Sequence, residues 1–235
     1  MAREAGWFRL SPICTFVVRA FGSQTWGDVV TLSSGIGPGR VKLVVFQEIY
    51  PADVRKLKAQ SADAKTGGGA RDFRFPAAGF STIFKTLFPD TKTVKRRRGG
   101  KRVDLKVNTG KVYWLEERDE ELVLRSAKVD YEPPTSSRPS EDRLARVHEV
   151  PPLDPTNIPS PKEGPSLVLF IQDENDMVWT YYTSMKQLMK AGWEPLVAGP
   201  ILKCLFHPDR KGMKSPPRVQ GYVDLAAGRY YCHGF

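Results

Sequence analysis

The sequence predicts a mostly β fold with a few short helices, arranged as an open β-barrel or a sandwich. Many short segments alternate polar and apolar residues or are rich in β-branched and aromatic residues, as half-buried strands are. Two short segments have helical spacing, and Gly, Pro, Ser and Asn clusters separate the segments. With 40% hydrophobic and 26% charged residues, the composition is that of a globular protein. These features favour an open β-barrel or a sandwich with minor helical content.

The first half of the chain begins with apolar and β-branched residues at 7–32, which predict one or two short strands. A strong strand follows at 41–50, and 53–58 predicts a turn or a short helix. Residues 72–76 alternate aromatic and polar side chains and predict a strand. A short amphipathic helix, ending near Pro89, is predicted from five apolar residues at helical spacing: Phe80, Ile83, Phe84, Leu87 and Phe88.

The second half predicts more strands and one more helix. Residues 95–102 form a basic loop or hairpin tip, and 103–107 and 112–115 are predicted to pair across Asn108-Thr109-Gly110. A Pro- and Ser-rich region at 133–165 contains an ordered segment at 141–147. The remaining predictions are a strand at 122–127, a hairpin of 166–172 with 177–182, a helix at 184–191 and a last strand at 220–225.

The formal net charge of +10 and the pI near 9.6 predict a polyanionic partner, because phosphates bound by Lys and Arg release condensed counterions. Charge alone does not separate DNA from RNA or from an anionic membrane. No run approaches the roughly 18 apolar residues that a spanning helix needs, and no signal peptide is recognisable. We therefore expect a cytoplasmic protein that does not enter a membrane.

The cysteines are Cys14, Cys204 and Cys232, an odd and sparse set that predicts reduced thiols rather than a disulfide framework. Zinc is the alternative, because Cys204-x-x-His207 has ligand spacing and Cys232-His233 lies near the C-terminus. Two adjacent residues seldom both reach one ion. No metal and no cofactor are predicted.

The Gly-rich segment at 65–71 lacks the Gly-Lys-Ser/Thr ending of a P-loop, so a nucleotide site is not predicted. It is either a flexible hairpin tip or a loop whose backbone N–H groups approach DNA phosphates. In the second case Arg71 and Arg74 are available for base edges.

The densest positive charge lies at 95–102 and includes Arg96, Arg97 and Arg98. Such a cluster is either a solvated hairpin tip or a set of phosphate contacts that add affinity without sequence information. Residues 137–146 mix Arg138, Glu141, Arg143 and Arg146. This mixture is either a surface loop with internally paired charges or an arm that reads bases, since Arg pairs with guanine and Glu accepts from cytosine.

A nuclease is the catalytic alternative. Pro89-Asp90 followed by Asp104-Leu105-Lys106 matches the PD-(D/E)xK pattern, in which carboxylates bind a divalent metal and Lys lies near the attacking water. The match is short, and Asp-x-Lys strings are common on strands of charged proteins. With no nucleophile elbow and three His residues, the sequence gives no support for a catalytic triad.

Taken in order, several segments resemble the N-terminal effector-binding domain of EcoRII-type restriction endonucleases, a DNA-binding pseudobarrel shared with plant transcription-factor domains. They span about residues 41–200. The segments are 41–50, Ala62 to Gly68 (ADAKTGG), Leu87-Phe88-Pro89, 137–146 with its Glu-x-Arg-Leu-Ala-Arg core, Pro152-Leu153-Asp154-Pro155 and 166–170.

The resemblance implies two arms that grip the major groove of double-stranded DNA. The first arm would contain Thr66, Gly67, Gly68, Gly69, Arg71 and Arg74. The second arm would contain Arg138, Glu141, Asp142, Arg143 and Arg146. Beyond Gly68 the chain departs from the family pattern, so the recognised sequence does not transfer.

The sequence therefore predicts a sequence-specific double-stranded DNA-binding module at 41–235, preceded by an N-terminal extension of unknown role at 1–40. Its role would lie in restriction, phage defence or regulation, with a separate nuclease or effector protein as a further partner. An RNA-binding protein is a third hypothesis, because aromatic and basic residues are interleaved along the chain.

Overall fold

The computed structural model of the chain describes residues 39–58, 72–98, 101–118, 121–136, 138–190, 193–214 and 216–234. The strands are β1 (Val41–Ile49), β2 (Phe73–Pro76), β3 (Asp90–Arg98), β4 (Lys101–Arg118), β5 (Glu121–Glu132), β6 (Glu141–Ala145), β7 (Ser166–Asp173), β8 (Val178–Ser184), β9 (Gln220–Asp224) and β10 (Arg229–His233). The helices are α1 (Pro51–Lys58), α2 (Ala77–Leu87), α3 (Met185–Leu188) and α4 (Pro195–Leu205).

The strands form a single curled sheet, in the order β10-β9-β1-β7-β8-β4-β5-β6-β2, with β3 paired to β4 outside this path. Pairing is antiparallel except between β4 and β8, which run parallel at Val112 and Val178. The predicted fold class is confirmed, because the sheet curls into an open half-barrel and the helices are short.

The interior of the curl holds the larger core. One face of each long strand points into it, as Val45 and Phe170 do, and α2 fills it with Phe80 and Phe84, all of them fully buried. The aromatic residues of α2 recur at helical spacing, so they lie on one side of the helix. On that side the rings of Phe80 and Phe84 pack against the ring of Phe75 in β2. Burial of this size is the main stabilising contribution of the fold.

A second core covers the outer face of the same strands. Val44 and Phe46 of β1 point outward and are fully buried, and they pack in a cluster with Ile201 of α4. Helix α4 begins at Pro195, after Glu194 accepts a hydrogen bond from the Leu196 N–H. Because both faces of β1 and β7 are buried, these strands contain unbroken apolar runs, at 43–46 and 167–171, instead of alternating.

Most predicted elements are confirmed, and β7 and β8 form the predicted hairpin. The hairpin across Asn108-Thr109-Gly110 is wrong, because residues 101–118 form one continuous strand, β4. A Cβ on Gly110 would lie 2.8 Å from Cδ1 of Phe88, so this glycine permits a close approach of strand and ring rather than a turn. The predicted basic tip is partly strand, since 95–98 and 101–102 belong to β3 and β4.

The expectation of reduced thiols is wrong for two of the three cysteines, because Cys204 of α4 and Cys232 of β10 form a disulfide. Their Cα atoms lie 5.9 Å apart, within the ordinary range for a disulfide. The sequence could not show this pairing, since it depends on β10 folding back beside β9. Within the described part of the chain, no helix has both the length and the apolar character needed to cross a membrane.

Candidate nucleic-acid interface

Strands β2 and β6 bring the first-arm residue Arg74 beside the second arm. Arg74 pairs in register with Arg143, and Pro76 pairs with Glu141. Phe73 and Phe75 alternate with Arg74 along β2 and are buried in the interior, so Arg74 points to the outer face of the sheet. The alternation of apolar and charged residues in the sequence thus places the charged side chains on one surface.

Six charged side chains on this surface form a continuous set of ion pairs, which we call the arm network. Its members are Asp72, Arg74, Glu132, Arg138, Glu141 and Arg143. Arg74 lies 3.3 Å from carboxylate oxygens of both Asp72 and Glu141. Three arginines face three carboxylates, so the network is close to electrically neutral and fixes the directions of its side chains.

Arg143 and Arg138 lie deeper in the arm network. Arg143 donates through Nε to Asp72 and through Nη1 to Glu132 at 3.3 Å. Arg138 lies 3.8 Å from Glu132 and 3.9 Å from Glu141, and it also donates to the Pro133 carbonyl. These contacts join Arg138 to the end of β5 and the start of β6, and they join Arg143 of β6 to Asp72, which precedes β2.

Exposure divides the arm network into a base and a rim. The side chains of Asp72 and Glu132 are 1% and 4% exposed, whereas those of Arg74 and Glu141 are 43% and 27% exposed. Burial lowers the pKa of Arg74, but the charges of Asp72 and Glu141 outweigh it, so the pKa is raised above its ordinary value. Arg74 is therefore a permanently charged donor held at the surface by the buried carboxylate of Asp72 and the partly exposed carboxylate of Glu141.

Asp142 points the opposite way. It is fully buried, and its carboxylate accepts hydrogen bonds from Tyr131 Oη at 3.0 Å and from Ser81 Oγ at 3.0 Å. Burial raises the pKa of Asp142, and the two hydrogen bonds and nearby positive charges oppose that rise. Asp142 was predicted to contact DNA with the rest of the second arm, but the structure places it in the interior as the anchor of β6.

Arg146 lies at the other end of β6 from Glu141, in a second group of charges. It has a left-handed φ of 66° and donates to Glu149 at 2.8 Å, which raises the pKa of Arg146. Its Nη1 lies 4.0 Å from Asp130, a buried carboxylate that also pairs with Lys92 at 2.7 Å. The structure thus separates Arg146 from the arm network.

Several predicted residues lie where the structure says little or nothing. Thr66, Gly67, Gly68, Gly69 and Arg71 lie outside the described residues. The backbone of Arg96, Arg97 and Arg98 forms the end of β3, paired with Val103, Arg102 and Lys101.

The three residues of the nuclease hypothesis do not form a site. Asp90 pairs with Thr109, whereas Asp104 pairs with Lys95, five positions farther along β3. At about 3.4 Å per residue the two carboxylates stand roughly 17 Å apart along the strands, and their positions alternate to opposite faces. Metal–oxygen distances are about 2–2.6 Å, so Asp90 and Asp104 cannot share an ion. The described residues contain no cluster of three or more His, Cys, Asp or Glu side chains suited to a metal.

Beside the arm network lies a polar pocket of about 360 Å³, lined by Arg74, Phe75, Pro76, Ser140, Glu141, Arg218 and Gln220. Gln220 of β9 donates to the Arg74 carbonyl at 2.5 Å, which ties the sheet edge at β2 to β9. Arg218 is held by Asp53 at 2.8 Å and lies over the ring of Tyr50. The pocket therefore opens between the two ends of the curled sheet.

Sequence reasoning missed Asp72, Glu132 and Arg218. Asp72 is the first residue of the predicted strand at 72–76, but an acidic residue in that position more often faces solvent. Glu132 meets Arg143 only through the β5–β6 pairing, and Arg218 follows two prolines in a segment without periodicity. No local pattern marks these contacts.

Comparisons with protein-family models, with curated proteins and with solved structures found no match to this chain.

Proposed function

We propose that the chain is a sequence-specific double-stranded DNA-binding module, whose base-reading residues lie at the rim of the arm network. The observation that carries this proposal is the partly exposed Arg74–Glu141 pair, in which Arg74 is held by the buried carboxylate of Asp72 and Glu141 lies beside Arg138. Arg is the preferred donor to guanine O6 and N7, and Glu accepts from the cytosine amino group. A fixed Arg–Glu pair can therefore distinguish the two bases of a G·C pair.

The arm network orients the protein on the duplex and adds little electrostatic attraction to DNA, because its charges nearly cancel. Attraction comes from the rest of the chain, whose net charge is +10. Phosphate contacts position a protein on the duplex, and base contacts specify the sequence. The separation of a neutral, ordered rim from an excess of positive charge elsewhere suits this division.

The proposed role is target recognition in restriction, phage defence or regulation in the cytoplasm, with any cleavage made by a separate nuclease or effector protein. The resemblance to EcoRII-type effector-binding domains supports it, and the open half-barrel is compatible with a pseudobarrel. The chain's own nuclease hypothesis loses its support, since Asp90, Asp104 and Lys106 do not converge.

Selection of bound duplexes from a random pool tests the proposal. The wild-type protein should enrich a defined sequence, and Glu141→Gln should relax the preference at one G·C position while it retains the others. Glu116→Gln is the matched control, because Glu116 forms an exposed pair with Arg125 at 2.6 Å elsewhere on the sheet. A pool that stays random with the wild-type protein, or preferential recovery of single-stranded RNA, would refute the proposal.

A further inference from the structure

The outer face of the sheet continues from the arm network across β5 to β4. The strand register places Glu132 beside Arg143 and Lys128 beside Lys111. Glu132 and Lys128 are four positions apart on β5, and side chains of a strand alternate between its faces, so both lie on the same face. Arg143 and Lys111 therefore share that face, which Arg74 continues on β2.

Burial agrees with this assignment of Lys111 and Lys128 to the outer face. Val112 and Val129, the residues that follow them in the chain, belong to the interior core. Successive residues of a strand point to opposite faces, so Lys111 and Lys128 point outward. Tyr113, the next residue of β4 on their side, packs against the outer core.

The two lysines form a like-charge pair. Lys111 and Lys128 lie directly opposite each other, and both are exposed. Directly opposed side chains of antiparallel strands have Cβ atoms about 4.5–5.5 Å apart, and like charges in these positions destabilise a sheet. Neither lysine forms an ion pair within the described part of the chain. An anion bound by both ammonium groups would remove their repulsion, so the pair has the chemistry of an anion site.

The next register pair on this face adds two hydroxyl groups. Tyr113 pairs with Ser126, which is exposed, whereas Tyr113 is half-buried. Lys, Ser and Tyr side chains all bind phosphate oxygens in protein–DNA complexes. We call these four residues the lysine patch: Lys111, Tyr113, Ser126 and Lys128.

The carboxylate between the lysine patch and the arm network is already neutralised. Asp130 lies between Lys128 and Glu132 on the outer face, and its side chain is 2% exposed. Lys92 pairs with it at 2.7 Å, and Arg146 lies 4.0 Å away. Asp130 therefore presents little negative charge to a phosphate that binds beside it.

The distance between the lysine patch and the arm network matches a groove of DNA. Four residues at about 3.4 Å each place Lys128 roughly 14 Å from Glu132 along β5. The major groove of B-DNA is about 12 Å wide. The rim of the arm network can thus lie in the groove while the long lysine side chains reach the phosphates at its edge.

We infer that the lysine patch binds the phosphate backbone of the duplex whose bases the rim of the arm network reads. This inference rests on the proposed function. The contacts carry no sequence information, and they set the position of the rim over the groove. They add a second set of phosphate contacts to those predicted at 95–102.

The salt dependence of binding to random duplex tests the inference. The log–log slope for B-DNA is about −0.9 for each phosphate neutralised, so Lys111→Gln and Lys128→Gln should each bring the slope about 0.9 closer to zero. At 0.1 M salt this corresponds to about eightfold weaker binding for each lysine. Selected and random duplexes should lose affinity by the same factor, with an unchanged consensus, because a phosphate contact weakens all sequences alike.

Lys106→Gln is the matched control, because Lys106 is an exposed lysine of the same strand, five positions from Lys111 and so on the opposite face. Its slope should equal that of the wild type. Lys128→Arg keeps the charge and should also retain the wild-type slope. Melting curves provide a second measurement. Since the opposed lysines repel, Lys111→Gln and Lys128→Gln should melt no lower than the wild type, which separates weaker binding from misfolding.

Wild-type slopes in both Gln variants of the lysine patch, or an equal change in Lys106→Gln, would overturn the inference. A consensus altered by Lys111→Gln would overturn it as well, because that lysine would then contact a base. If Glu141→Gln relaxes the consensus while both Gln variants of the patch keep the wild-type slope, the inference fails and the proposed function stands. If the wild-type protein binds no duplex, both fail.

Discussion

The two halves of the sheet differ in what covers their outer face. On β1, β7, β8 and β9 the outer face carries residues such as Val44 and Leu169, which are buried with Ile201 of α4. On β5, β6 and β2 the corresponding face carries the arm network. Both halves share the same interior core, and the covered half has the outer core in addition.

This difference shows how one sheet can separate stability from recognition. The covered half is buried on both faces and tolerates little change, because close-packed interiors relax only partly after truncation. The charged half needs its inner face for folding, and its outer face is available for a ligand. Substitutions in the covered half should therefore change stability, and those at the rim of the arm network should change binding.

The largest effect is expected in the covered half. Phe46→Ala removes a fully buried ring on the outer face of β1, in the cluster with Ile201 of α4. The free energy of unfolding should fall by about 3–5 kcal/mol. Denaturant unfolding measures this, with Leu124→Ala as the control, because Leu124 is 39% exposed on β5 and should change stability by less than about 0.5 kcal/mol. Equal losses in the two variants would erase the distinction between the halves.

Reduction of the disulfide should also act on the covered half. Cys204 and Cys232 are 28 residues apart, and the chain-entropy model gives about 3.5 kcal/mol for a loop of that length. Melting curves with and without reductant should differ, and Cys204→Ser with Cys232→Ser should melt at the lower temperature in both conditions. A wild-type melting temperature that is the same with and without reductant would contradict the pairing of Cys204 with Cys232.

The base of the arm network should contribute less. Asp72→Ala removes the buried carboxylate that Arg74 and Arg143 share, and hydrogen bonds to charged groups are worth about 1.5–3 kcal/mol. The matched change is Glu116→Ala, which breaks the exposed pair with Arg125 and should cost less than about 1 kcal/mol. If both changes cost the same, the arm network is an ordinary set of surface ion pairs.

The smallest effect concerns the pH dependence of Asp142. Its pKa is raised by burial, so the folded state binds the proton more tightly than the unfolded state does. The associated stability is present below the ordinary Asp pKa of about 3.9 and is lost as pH rises through the raised pKa. Asp142→Asn keeps an acceptor for Tyr131 without a charge. The free energy of unfolding should be measured from pH 3 to pH 7. The value for the Asn variant should rise relative to that of the wild type as pH rises, and the opposite trend would contradict this assignment.

Sequence patterns predicted the elements whose signals are local. The apolar run of β7, the polar turn before β8 and the aromatic spacing of α2 each lie within about ten residues of sequence, and all three elements were found. Helix α4 was missed, because Gly199 and Pro200 interrupt its middle and resemble a turn. Gly110 was wrongly assigned to a turn for a related reason. In the sequence, a glycine that allows close packing against Phe88 cannot be told from a glycine in a turn.

The candidate site was predicted only in part, because its contacts join distant segments. Arg74, Arg138, Glu141 and Arg143 were named from the sequence, and the structure brings all four together. The carboxylates that hold them come from residues 72 and 132, and no periodicity connects these positions with 143. Only the strand pairings β2–β6 and β5–β6 do so.

The central claim is that the rim of the arm network reads bases, and the binding ratio of Arg74→Ala tests it most directly. Affinity should be measured for a duplex selected by the wild-type protein and for random duplex, at one fixed salt concentration, because affinity depends on salt. A base contact is worth about 1–3 kcal/mol of discrimination. Arg74→Ala should thus lower the ratio of selected to random binding by about 5- to 150-fold, while Arg125→Ala leaves it unchanged. Equal losses on both duplexes would show that Arg74 contacts only the backbone, and the claim would be wrong.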